Sequence, residues 1–253
     1  MLFNAVKIWL HALKQGGTWT TLVWMAVFSL ISFLLFALVG GSALIGAMLH
    51  SGSPSAPITP NSSITHFAAG VLAVYLIMFI ATPFLTGGIY GIYALEVQGE
   101  QTSWGTFWKM GKKLYGRGWG LIGYVILYLL VIGIFAAIVI FTLHIPGIIL
   151  AIAVFILTLP WGLRMTGGLF VDQNTWGTSF RNSFRKAYYW QLLIGMFIGV
   201  LGYLLVLFLD MVLTHALGFV GIALYLILEL AFAVVVPLWL FALYAATKGP
   251  KPS

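Results

Sequence analysis

With no cysteine among its 253 residues, this chain leaves acid–base and metal chemistry to five Asp and Glu and five His. Two of the acids, Asp210 and Glu229, interrupt long apolar runs. Glu229 follows His215 by fourteen residues, which is about 21 Å along a helix at a rise of about 1.5 Å per residue. That depth is past the middle of a bilayer, where an ionised carboxylate is costly unless paired. Glu229 is therefore expected to face a helix bundle. It would serve either as a protonated carboxyl bonded to a neighbouring helix or as a group that carries a proton or cation. Asp210 is shallower, within reach of interfacial water, and reads as structural.

His66, His144 and His215 each stand where an apolar run begins to return. Three imidazoles at one membrane face would make a metal-binding or proton-sensing ring. The plainer reading is interfacial turns, since no carboxylate other than Asp210 is near enough in sequence to support such a ring. No bound metal and no cofactor is expected. Arg164 lies four residues after Pro160 and reads as snorkelling to phosphates, or else as pairing with Asp172. Thiol chemistry is excluded, and the chain contains no Walker loop, no nucleophile elbow and no HExxH motif. An enzyme is not expected.

These side chains are held by elements whose solvent is lipid. The chain is 62% hydrophobic and 7% charged, against about 25% charged in soluble domains. Ten Trp suit two interfacial belts. The formal net charge of +7 does not point to nucleic acid, because the basic residues sit in short aromatic segments beside apolar runs. That placement fits anionic lipid headgroups.

Apolar runs predict six spans: about 22–49, 67–93, 121–143, 148–170, 192–213 and 219–246. Glu96, Gly99 and Glu100 end the second. Residues 50–66 read as a loop and 2–15 as an amphipathic helix, with Leu2, Phe3, Val6, Trp9, Leu10 and Leu13 on its apolar face. Before the third span comes Ser103-Trp-Gly-Thr-Phe-Trp-Lys-Met-Gly-Lys-Lys-Leu-Tyr-Gly-Arg-Gly-Trp119. It returns before the fifth as Thr175-Trp-Gly-Thr-Ser-Phe-Arg-Asn-Ser-Phe-Arg-Lys-Ala-Tyr-Tyr-Trp190. Its basic residues, Lys109, Lys112, Lys113, Arg117, Arg181, Arg185 and Lys186, are the expected headgroup contacts. Pro83, Pro160 and Pro237 recur 77 residues apart in the even-numbered spans and predict kinks. Thr86-Gly-Gly-Ile-Tyr90 matches Thr166-Gly-Gly-Leu-Phe170, glycine doublets suited to close helix packing.

The expected fold is all-α and integral to the membrane. It is one domain over 1–253, with three direct hairpin repeats at about 1–101, 102–173 and 174–253. Each hairpin is entered by an interfacial amphipathic helix, and a pseudo-threefold axis along the membrane normal or a linear array would both satisfy the repeat. With the N-terminus inside, all twelve Lys and Arg fall on the cytoplasmic side, as the positive-inside rule requires. The expected location is the cell membrane, with both termini cytoplasmic.

The basic helix before each hairpin, the prolines of the even spans and the segment Asp172…Trp-Gly-Thr-Ser-Phe-Arg-Asn-Ser together resemble bacterial and archaeal six-span membrane families of unknown function. One of these is similar to the membrane domain attached to some glycerophosphodiester phosphodiesterases. The resemblance implies a membrane module without the soluble catalytic barrel, so no catalytic residue carries over. The function expected is a non-enzymatic module that assembles with or regulates another membrane component, as a partner or a homo-oligomer. The alternative is a small-solute or ion transporter or channel using Glu229 and a pseudosymmetric helix core.

Overall fold

The computed structural model describes residues 1–51 and 60–248, with the side chains of 40–66 and of 210, 219, 222 and 223 outside the description. The described residues form eight helices: α1 (Leu2–Leu13), α2 (Gly16–Ser51), α3 (Pro60–Glu96), α4 (Thr106–Leu143), α5 (Ile145–Phe170), α6 (Trp176–Ser183), α7 (Tyr189–Leu217) and α8 (Phe219–Ala246). Six of them, α2 to α5 with α7 and α8, are long and apolar enough to cross a membrane. The six make this a multi-pass membrane protein.

The boundaries differ from those the hydropathy predicts. The loop expected at 50–66 contracts, because α2 runs to Ser51 and α3 begins at Pro60. Proline suits that first turn, where an amide hydrogen would have no helical partner. Residues 52–59 lie outside the described set. The motif at 103–119 is not a separate helix either. It is the first third of α4, whose 38 residues would span about 57 Å, well beyond a hydrocarbon core of about 30 Å. Its second copy does form its own short helix, α6, where the Thr175 side chain accepts a bond from the Thr178 amide as an N-cap.

Two of the turns between paired spans are single residues. His144 alone, at φ 53°, separates α4 from α5, and Gly218, at φ 55°, separates α7 from α8. Gly147 then lies against the Val139 backbone and Gly221 against that of Leu213, closer than any side chain would allow.

The chain resolves into two compact units, Met1–Leu22 with Pro83–Ser253, and Val23–Thr82. In the second, the two helix arms meet through Ser32, whose hydroxyl lies 3.4 Å from the Met78 sulfur, through a Phe36–Tyr75 edge contact at 5.4 Å, and at Gly70 against Val39. In the first unit the core gathers where α3, α5 and α8 end: Ile92, Tyr93, Met165, Phe170, Leu238 and Leu243 are buried there. Elsewhere the spans present large apolar side chains outward, as a bilayer allows.

Within this unit α1 packs on α8, α8 on α5 and α7, and α5 on α4, α6 and α7. The buried stripe of α1 is not the one expected from its large side chains. Ala5 and Ala12 face the core, with Leu2, Ile8 and Trp9 beside them, while Phe3 stays 70% exposed. Small residues permit the backbone of α1 to approach α8, and the bulkier Phe3, Val6 and Leu10 are left for lipid.

Candidate functional site

The glycine-led start of α2 and the acidic end of α3 build the most enclosed polar site among the described residues. Glu96 is 1% exposed. Its Oε1 accepts from the Thr102 hydroxyl at 2.6 Å, and its Oε2 lies against the Thr18 hydroxyl. Thr18 Oγ1 is also 3.0 Å from the Ala12 carbonyl, which accepts from the Gln15 amide as well. Thr21 donates to the Thr18 carbonyl at 2.6 Å and meets the Tyr93 hydroxyl at 3.1 Å. A Cβ on Gly17 would collide with Thr102 and the Glu96 carboxyl, so only glycine admits this approach. The Thr18 hydroxyl is thus shared between the Glu96 carboxyl and the Ala12 carbonyl.

Further polar side chains tie the same helix ends together through backbone carbonyls. Arg164, 8% exposed, donates to the Arg185 carbonyl, and Arg117 to that of Gln173. Gln98 Nε2 donates to the Val171 carbonyl at 2.9 Å. Asp172 accepts from the Tyr244 hydroxyl at 2.6 Å and pairs with Lys248. Both readings of Arg164 are thereby corrected. It neither snorkels to the surface nor pairs with Asp172, because the carbonyl behind α6 satisfies it and Lys248 has taken the acid.

Three aromatic rings meet where the even-numbered spans converge: Tyr90 of α3 lies 5.3 Å from both Phe170 of α5 and Phe241 of α8. The glycine doublets let the chain close around them. Gly88 sits under the Phe107 ring and Gly168 under Ser179; Phe107 and Ser179 hold the same position in the two copies of the motif. Gly167 lies under the Tyr244 ring and directs its hydroxyl to Asp172.

The residues singled out by sequence scatter. Glu229 does not face the bundle. It is exposed on α8 in a stripe with Leu226, Ile227, Leu230 and Ala233. Almost every position of α8 is apolar, so no periodicity marked which side turns inward. The side chains of Asp210 and His66 lie outside the described residues. His144 and His215 are exposed, and no group of three metal-capable side chains occurs among the described residues. Pro83 and Pro160 are buried and Pro237 partly so. Carbonyls within a turn of the last two are satisfied from neighbouring elements, Leu157 by the Tyr189 hydroxyl and Val235 by Trp9 Nε1 at 3.1 Å. Lys109, Lys112, Lys113, Arg181, Arg185 and Lys186 are exposed, and Arg117 partly so.

Glu96 is what sequence reasoning missed. It read as a helix terminator, and its partner Thr18 is 78 residues away. The available signal was a pair of acids, Glu96 and Glu100, at the end of an apolar run with Thr102 close behind. The sequence matches no protein-family model, no curated protein and no solved structure.

Proposed function

We propose that this protein is a non-enzymatic membrane assembly module, whose α8 surface around Glu229 docks a transmembrane helix of another membrane protein. The observation that carries this reading is the outward position of Glu229 among exposed Leu226, Ile227 and Leu230. A carboxyl turned toward hydrocarbon is costly. A hydroxyl, amide or basic side chain from a partner helix would remove the cost, and the surrounding leucines and isoleucine supply the packing. The polar side chains of the first unit support a scaffold rather than a catalyst, since Arg117, Arg164 and Gln98 are engaged with backbone carbonyls.

The module is three direct hairpin repeats with both termini cytoplasmic. Supporting this is the convergence of the ends of α3, α5 and α8, the even-numbered spans, on one aromatic cluster. The exposed Lys and Arg before α4's apolar portion and in α6 and the segment after it bind anionic headgroups of the cytoplasmic leaflet, each contributing about 1 kcal/mol.

Co-purification after Glu229→Leu tests the assembly reading. Loss of a stoichiometric partner, with thermal stability unchanged, is the expected result. Retention of that partner sinks the reading. A solute-flux assay on proteoliposomes addresses the transport alternative, which an acid on the outer face of α8 does not favour.

A further inference from the structure

A half-open cavity of about 240 Å³ lies within the first unit, walled by α5, α7 and α8 with Tyr90 of α3 beside them. Gly162, Gly167 and Pro237 are on its wall. The wall is apolar. Two of its hydroxyls are already committed, Thr166 to the Gly162 carbonyl at 3.0 Å and Tyr244 to Asp172 at 2.6 Å. Water held there would lack the two to four polar partners it needs, whereas an engineered apolar cavity of about 150 Å³ stays dry and takes up benzene. The flexible Met196 side chain on the wall adapts to the outline of an apolar guest.

One end of the cavity is different. The Tyr244 ring lines it, and Lys248 stands over that ring, 5.2 Å from its centre. Arg164 of α5 donates to the Arg185 carbonyl, which holds both residues at the same helix ends. Lys248 and Asp172 pair with each other, so the excess positive charge of this end comes from Arg164 and Arg185. The site thus has an apolar body and a cationic end, which is the complement of an anionic amphiphile.

We propose that the cavity is a binding site for an anionic membrane phospholipid. Part of one acyl chain fills the space between α5, α7 and α8, and the phosphate lies at the Arg185 and Lys248 end. Such a lipid is the most abundant molecule of this chemistry around a membrane-spanning chain. It would complete the packing of the three even-numbered spans in the way a side chain would.

The full-length protein is reconstituted into phosphatidylcholine vesicles containing phosphatidylglycerol with a photoreactive acyl chain, illuminated and mapped by peptide mass spectrometry. Adducts at Met196, Leu240 or Leu159 are expected. Gly162→Leu fills the cavity from a position where a Cβ would meet nothing nearer than the Tyr124 ring at 4.0 Å, and adduct yield at those residues should fall at least about fivefold. Met196→Phe provides a second filling variant should Gly162→Leu fail to fold. The pair Arg185→Gln and Lys248→Gln should abolish the preference for labelled phosphatidylglycerol over labelled phosphatidylcholine while leaving the cavity labelled. Equal yields in the wild type and a folded filling variant would overturn the proposal. So would labelling by photoreactive free fatty acid that phosphatidylglycerol does not compete away.

Discussion

Glu96 is held by groups that no local pattern brings together. Thr18 comes from the first turn of α2, Thr102 from the segment before α4, and the Ala12 carbonyl from the end of α1. Substituting Gln preserves the arrangement, since its amide can donate to Thr18 and accept from Thr102. Glu96→Gln should therefore leave the unfolding midpoint in detergent unchanged. Glu96→Ala orphans buried hydroxyls and should cost about 1–3 kcal/mol. Tryptophan-fluorescence melts of both variants check this; equal loss in the two would mean that hydrogen bonding is not what Glu96 contributes. The residue scale is also where the sequence was least readable. The carboxyl at 96 looked like punctuation, while the carboxyl at 229 drew attention through its depth. The structure buries the first and exposes the second. Depth can be counted along a chain, but the facing direction cannot be, where every side of the helix is apolar.

The elements carry a different lesson. Hydropathy located all six spans because a bilayer sets their length, and the prolines and glycine doublets were legible because their backbone chemistry is independent of context. The faces of the short basic segments were less so. In α1 the protein-facing stripe is the small one, Ala5 and Ala12, and in the first third of α4 it is Phe107, Met110, Gly111 and Leu114. Large apolar residues can satisfy either lipid or protein, so a wide apolar face does not say which part meets which. Ala12→Leu should overpack the contact that α1 makes with the rest of its unit and lower stability by about 1–3 kcal/mol. Phe3→Ala, on the exposed side, should leave it within about 0.5 kcal/mol. Equal effects in thermal or denaturant unfolding would contradict the assignment of that face. Gly118→Leu is expected to be more damaging than either, because a Cβ there meets the Pro83 backbone, which cannot move aside as a side chain would.

At the scale of the molecule, orientation and assembly are the two claims. Orientation rests on the twelve Lys and Arg, and single cysteines in this cysteine-free chain report on it directly. Ser103→Cys should react with an impermeant maleimide only after the inner face is opened, and reaction from outside would invert the topology. Assembly rests on Glu229. A photoreactive amino acid placed at Leu226 or Leu230, beside Glu229, or at Ile134 on the exposed side of α4, distinguishes a docking face from a lipid face in the native membrane. The account predicts a discrete protein adduct at Leu226 and Leu230, its loss with Glu229→Leu, and lipid adducts alone at Ile134. Lipid adducts alone at all three positions would contradict it.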